Sequence, residues 1–233
     1  MKRFYKQAAA TEANKGWRVE LDGRPIKTAL GNAQIVPTAG LAETLAREWD
    51  KQGEKIDPAL FHKRDLADFA IDMVETDREG TKAKLLAFLE TDTLCYRGDP
   101  DEPIYRRQKE IWEPIICRFE QRAGVTLERI SGIMHRPQPE ATLATLGDRL
   151  DELDPFALTA LLTMTSLAAS LVIGLSALES DAEVEALWNA ANLEEDWQME
   201  QWGEDAEAVA VRAKRKNDFL NARDFLQLAS DAT

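Results

Sequence analysis

Apolar and polar positions change their period as the chain is read from its start. From Trp17 to Leu21 they alternate, Trp17-Arg18-Val19-Glu20-Leu21, the two-residue period of a half-buried strand. Asp22-Gly23 follows at once and signals a two-residue hairpin, because glycine accepts the positive φ that such turns require. Gly31-Asn32 marks a second turn, and Phe4, Ile26, Ile35 and Val36 add further short apolar runs. Residues 1 to about 40 therefore predict a small antiparallel sheet, too small to be stable unless it docks on something larger.

After Pro37-Thr38 the period becomes helical. Leu41, Leu45, Glu48 and Trp49 share one face of GLAETLAREWDKQ, which Gly53 closes. Beyond Pro58, Leu66, Phe69, Ala70 and Met73 form the stripe of HKRDLADFAIDMVETD, and Glu79-Gly80 separates it from a helix with Leu85, Leu89 and Tyr96 inward. Past GDPDEP, the stripe Gln108, Ile111, Trp112, Ile115 and Phe119 runs to a stop at Gly124, with Pro114 expected to bend or restart the helix. Val125 to Ile133 reads as a short strand or an extended link, and Ala141 to Leu153 as a short amphipathic helix.

The next stretch organises the rest. Phe156 to Leu178 holds twenty-three residues without a charge, and a helix apolar on every side must be buried on every side. It is long enough to span a bilayer. Six of its residues are Ser or Thr, its flanks are acidic, and no Lys, Arg, Trp or Tyr stands at either end as an anchor, so the expectation is a core helix. Asp154 as N-cap and Pro155 at the first helical position start it. Ser180-x-x-Glu183 then reads as a capping box for a helix through Val184, Leu187 and Trp188, and Asn192-x-x-Glu195 permits either a break or continuity. Gly203 ends that segment, and Asp205 to Leu228 forms the last helix. The predicted class is α+β: a small N-terminal sheet domain over 1–60, and a helical domain over 61–233 built around the buried helix 156–178.

Charge narrows the function. A net charge of -13 repels phosphate backbones and anionic lipid, which argues against nucleic acid and membrane insertion. The basic cluster Arg212, Lys214, Arg215 and Lys216 sits among acids and reads as a solvated face. Cys95 and Cys117 have no Cys or His at metal spacing and read as buried free thiols of a reducing compartment. The start MKRFYKQAAATEAN lacks the apolar run of a secretory signal, and also the Arg- and Ser-rich pattern of an organelle leader, which predicts a bacterial cytoplasmic protein or one already processed.

Motifs for chemistry fail one after another. There is no GxGxxG, no phosphate-cradling GxxxxGK[ST], no GxSxG and no HExxH or CxxC, and His62 and His135 have no partner that would orient a catalytic base. No cofactor, metal or catalytic residue is expected. What remains is LEEDWQMEQWGED, Leu193 to Asp205, with two tryptophans and six acids. On an unbroken helix Val184, Trp188, Ala191, Glu195, Gln198 and Trp202 would share one face, and a carboxylate on such a seam must be paired, exposed in a cleft or used. The bland alternative has Trp197 and Trp202 filling core while the acids are merely solvated and cap local amides. An enzymatic alternative makes two acids of the 194–205 segment a general acid and base, which needs one raised pKa in a closed pocket.

Taken in order, Arg3-Phe4-Tyr5, Leu21-Asp22-Gly23-Arg24-Pro25 with Lys27-Thr28, Glu48-Trp49-Asp50-x-Gln52, Thr91-Asp92 with Tyr96-Arg97, Gln108 followed by Trp112-x-Pro114, and Gln198-x-Glu200-x-Trp202-Gly203-x-Asp205 form a pattern. It resembles the ATP-synthase alpha-subunit assembly chaperone family of mitochondria and alpha-proteobacteria, over nearly the full length. Ala29 departs from it, standing where the family has proline after the threonine. The resemblance implies a non-enzymatic chaperone that holds the unassembled alpha subunit before it meets beta, with a bacterial, cytoplasmic member that is a monomer when free. It also implies that an acidic residue of the C-terminal motif matters. Glu195, Gln198, Glu200, Trp202 and Asp205 are accordingly the expected partner-binding residues.

Overall fold

The alternation at Trp17 to Leu21 is the central strand of a three-stranded antiparallel sheet. In the computed structural model, which describes residues 1–132 and 134–230, β1 (Ala8–Ala13), β2 (Gly16–Leu21) and β3 (Arg24–Pro25) lie in that order, with Ala10 opposite Val19 and Leu21 opposite Arg24. Val19 and Leu21 form its buried face. Asp22 and Gly23 both take positive φ, 49° and 77°, the backbone that matches a two-residue turn to the twist of the strands it joins. Behind the sheet lies α1 (Ala39–Asp50), capped by Thr38, whose hydroxyl oxygen accepts from the Leu41 amide at 3.1 Å. Leu41, Leu45 and Trp49 of the expected face are buried, joined by Ala42 and Ala46, while Glu48 of that face is only half-buried.

A 3-10 turn (Pro58–Leu60) leads to α2 (His62–Phe69), which runs into a π turn (Ala70–Val74). Here the expected stripe is corrected. Ala67, Ala70 and Val74 are buried together with Asp68 and Asp72, while Phe69 and Met73 are 40% and 50% exposed. The acids turn inward because a loop offers them donors. Asp68 accepts from the Ala29 amide (3.1 Å) and the Gln34 side chain, and Asp72 from the Thr28 hydroxyl (2.7 Å), the Leu30 amide (3.0 Å) and Asn32 Nδ2 (2.8 Å). A buried carboxylate satisfied in this way replaces the apolar contact that the pattern predicted.

Further on, α3 (Arg78–Glu90) already contains Gly80 in its first turn, so Glu79-Gly80 does not separate two helices; Leu85 and Leu89 are buried as expected. β4 (Tyr96–Arg97) pairs in parallel with β5 (Ile130–Ser131), which gives Val125 to Ile133 its short strand; Ile133 itself lies outside the described residues. Between them α4 (Pro103–Ala123) continues through Pro114 without restarting, on a side of the helix where Glu110 and Pro114 meet solvent. Its buried positions are Gln108, Trp112, Ile116 and Phe119, so Ile116 replaces Ile115, Ile111 of the expected stripe is exposed, and Gly124 stops the helix at φ 68°.

After α5 (Glu140–Asp151) comes the uncharged run. Asp154 Oδ1 accepts from the Phe156 and Ala157 amides at 2.7 and 3.0 Å, and starts α6 (Pro155–Ala168) as expected. The run is buried but is not one helix. It breaks at Ala169, which takes φ 48°, and resumes as α7 (Leu171–Leu178) with Ser170 as N-cap. The cause is Asp92, fully buried, which accepts from the Ser170 hydroxyl (2.7 Å) and the amides of Val172 (3.0 Å) and Leu94 (3.1 Å), while the Ala169 carbonyl accepts from the Thr93 amide and hydroxyl. Among the described residues no helix is long and apolar enough to cross a membrane.

The last helices are α8 (Val184–Ala191), α9 (Leu193–Trp202) and α10 (Ala206–Ser230). The chain divides into two compact units, Met1–Arg78 with Asp154–Ala160 and the stretch from Asn221, and Glu79–Leu153 with Leu161–Leu220. Residue 60, the expected boundary, falls inside the first. Within that unit Phe225 stacks on Phe156, ring centres 6.0 Å apart, and Lys63 reaches Asp224 at 2.8 Å. Within the second, Trp112 donates to the Ala190 carbonyl at 2.7 Å and Trp188 packs on Phe219.

Candidate functional site

Most of the motif residues hold the fold, and separating them from the rest isolates the site. Glu48 accepts from the Lys63 and Arg64 amides at 2.9 Å each, capping α2; Asp50 accepts from the Ala8 amide (3.0 Å), and Gln52 from the Asp57 amide (2.7 Å). Trp49 is core, between Tyr5 and Phe61. Gln108 accepts from the Gly98 amide, and Arg97, its side chain 4% exposed, binds Glu113 at 2.6 Å. Each of these polar groups is spent on its own chain.

The segment from Leu193 to Asp205 behaves otherwise. Asn192 is buried and donates to the Trp188 carbonyl at 2.8 Å, and its non-helical backbone separates α8 from α9. That break dissolves the single face predicted for an unbroken helix: Trp188 is 1% exposed and Trp202 is 79% exposed. The Ser180 capping box does not form, for α8 begins at Val184 without a side-chain cap, and neighbouring Asp181 is held by Arg122 at 2.7 Å.

Cations hold one side of α9. Arg107 donates to Glu200 at 2.6 Å and its guanidinium lies 5.8 Å from the Trp197 ring centre. Asp196 pairs with Arg212, and Glu195 with Arg215 at 3.2 Å, while Arg215 also donates to the Leu167 carbonyl at 2.8 Å. Gln108 Nε2 donates to Glu194 at 2.6 Å. Gly203 ends the helix at φ 90°, and Asp205 caps α10 by accepting from the Ala208 amide at 2.9 Å. Gln198 is exposed, as is every residue from Gln201 to Val211, including Val209 and Val211.

Of the five expected site residues, then, Glu195 and Glu200 are ion-paired and about half exposed, Asp205 is a cap, and Gln198 and Trp202 face solvent. Of the bland alternative, the capping acid is found in Asp205, but the two core tryptophans are not, since Trp202 is the most exposed large hydrophobic residue among those described. Acid and base chemistry lacks its geometry too. The Arg107 guanidinium holds the Glu200 carboxyl below the usual range, and Glu194, the acid that burial pushes upward, is partnered by the Gln108 amide and not by a second acid. Sequence reading missed Arg107 altogether and took Arg212 and Arg215 for a solvated face. The signal was there in the charges: an acidic run and a basic cluster in adjacent helical segments, able to pair once the chain reverses at Gly203.

The model of the family described as ATP12 chaperone protein matches residues 2–120, just over half of the chain. The chain belongs to the ATP12 chaperone family. This is the family that the motifs resemble. Among solved structures, Atp12 from Paracoccus denitrificans is 32% identical, with a TM-score of 0.92 over 98% of each chain. The Atu1473 protein of Agrobacterium tumefaciens is 35% identical, with the same TM-score over 97% of this chain and 85% of that one. Mitochondrial atp12 of Schizosaccharomyces pombe is 28% identical over 222 residues, 89% of this chain and 76% of its own. The α+β architecture read from the sequence is thus that of solved ATP12 proteins, and this ATP12-family chain is a chaperone of ATP synthase assembly.

Proposed function

We propose that the client is the unassembled alpha subunit of the ATP synthase catalytic sector, bound before it pairs with beta, and that the binding surface is α9 with the first turns of α10. The observation that carries this reading is Trp202, 79% exposed beside an acidic residue fixed by an arginine. Contiguous exposed apolar area marks association sites, and aromatic anchors dominate protein interfaces once buried there. Val209 and Val211 extend the apolar area; Glu195, Gln198, Glu200 and Asp205 give it a polar rim suited to arginines and lysines on the client. The net charge of -13 draws a basic surface towards it.

On this reading the protein is not an enzyme, works in the bacterial cytoplasm and is a monomer when free. The test is protection of alpha subunit diluted from denaturant, followed by light scattering. Wild-type protein should suppress aggregation, and Trp202→Ala, folded to the same extent, should lose most of that effect. Equal protection by the variant would remove the binding surface from α9.

A further inference from the structure

Apolar packing does little to hold α9. Of its ten residues only Leu193 is buried, whereas the shorter α8 buries Leu187, Trp188 and Ala190. Most helices in proteins are fixed by a packed apolar face, so the direction of α9 must come from polar bonds. Arg107, Gln108, Arg212 and Arg215 supply them.

Arg215 does more than pair with an acid. Its Nη1 donates to Glu195 at 3.2 Å and its Nη2 to the Leu167 carbonyl at 2.8 Å, while the guanidinium lies 5.9 Å from the ring centre of buried Trp188. One side chain of α10 thus joins α6, α8 and α9. The second acceptor exists because the uncharged run is broken. In a continuous helix the Leu167 carbonyl would accept from the amide four residues on, that of Leu171. The positive φ of Ala169 ends α6 at Ala168 and Leu171 begins α7, which leaves that carbonyl among the orphan acceptors of a helix C-terminus, where the helix dipole also favours a cation. Arg215 fills the place. Two nitrogens fixed in one plane serve both acceptors at once, which the single ammonium of lysine does not.

We propose, on the reading of α9 as the client surface, that Arg215 is its positioning residue: it ties Glu195, and with it α9, to the broken end of α6. The break in the uncharged run then serves binding as well as packing, since it frees the carbonyl on which the surface is hung.

The test is amide hydrogen exchange on the full 15N-labelled chain, with Arg215→Gln and Arg215→Lys, beside the aggregation assay with alpha subunit. Lys214→Gln is the control, because it removes a charge of α10 whose partner, Asp218, lies on the same helix. Exchange from Trp197 to Gly203 should quicken about tenfold in both Arg215 variants and stay at the wild-type rate in the control, with α4 from Trp112 to Phe119 unchanged. Both Arg215 variants should need several times more protein for the same protection. Unchanged exchange in α9, equal acceleration in α4, acceleration by Lys214→Gln, or wild-type behaviour of Arg215→Lys overturns the role. So does a loosened α9 that protects fully while Trp202→Ala does not. Full protection by Trp202→Ala instead removes the client surface from α9 and overturns that reading, and with it the part of Arg215 in binding; the exchange rates then judge the anchor alone.

Discussion

Asp92 accepts the hydroxyl hydrogen bond of Ser170, 78 positions away, at 2.7 Å, and this contact decides where the uncharged run stops being one helix. The same carboxylate takes the Val172 amide at 3.0 Å, one of the otherwise unsatisfied donors at the start of α7. Burial pushes the Asp92 carboxyl up to about 6 from an ordinary 3.8, against the pull of the Val172, Ser170 and Leu94 bonds. Between those values the folded chain holds the proton more tightly than the unfolded one. The stability from this group is therefore full below pH 4, falls as pH rises to 6 and is level above, the reverse of an ion-paired aspartate. Asp92→Asn should lower stability at pH 7 by about 1–2 kcal/mol through a lost acceptor. The gap to wild type should widen by about 2 kcal/mol on going from pH 7 to pH 4. Urea unfolding across that range checks both, and a constant gap would assign the titration elsewhere.

The same packing sets opposite fates for two glycines. A Cβ on Gly174 of α7 would overlap Thr165 Oγ1 and reach Leu161 Cδ1 at 3.0 Å, both on α6. Gly174→Ala should cost about 1–3 kcal/mol as an overpacked core does. Gly147, within α5, meets nothing nearer than Leu86 Cδ1 at 3.9 Å, so Gly147→Ala should stabilise by about 0.5–1 kcal/mol from helix propensity. Thermal melts of the two variants should move in opposite directions.

In the first unit, Asp72→Ala would leave the Thr28 hydroxyl, the Leu30 amide and the Asn32 side chain without their acceptor. A loss of about 1–3 kcal/mol follows for the donors that stay buried, with faster hydrogen exchange at Leu30. Phe69→Ala and Met73→Ala, on the exposed side, should stay within about 0.5 kcal/mol of wild type. A larger effect of Phe69→Ala than of Asp72→Ala would restore the apolar stripe that the sequence suggested.

These cases mark what was legible. The hairpin at Asp22-Gly23, the Asp154 cap, the Gly124 stop and the burial of Trp49 and Trp112 were readable because each depends on a residue's own backbone preference or on a period within one element. The inward acids Asp68, Asp72 and Asp92 were not, because their partners at 28–34, 94 and 170–172 come mostly from other elements and no local pattern records them. The break at Ala169-Ser170 was hidden for the same reason: an uninterrupted apolar run reports burial and says nothing of continuity. In the candidate site, Trp202, Glu200 and Asp205 were legible as a motif, whereas Arg107 was not, lying 93 positions from the carboxylate it holds.

That arginine supplies the sharpest test of the site. Arg107 and Glu200 are bonded at 2.6 Å with side chains 34% and 51% exposed, a pair that contributes little to stability in water. Two roles for Glu200 are separable. If it serves only to fix α9, reversing the pair with Arg107→Glu and Glu200→Lys should restore whatever Glu200→Lys alone removes. If its carboxylate meets a cation of the client, the reversed pair presents the wrong charge and restores nothing. We expect Glu200→Lys to shift the melting temperature only slightly yet to abolish protection of the alpha subunit against aggregation. The reversed pair should recover the melting temperature without recovering protection. Light scattering beside thermal melts distinguishes the outcomes, and protection regained by the reversed pair would make Glu200 a positioning residue and move the client contact to Trp202 and its apolar neighbours.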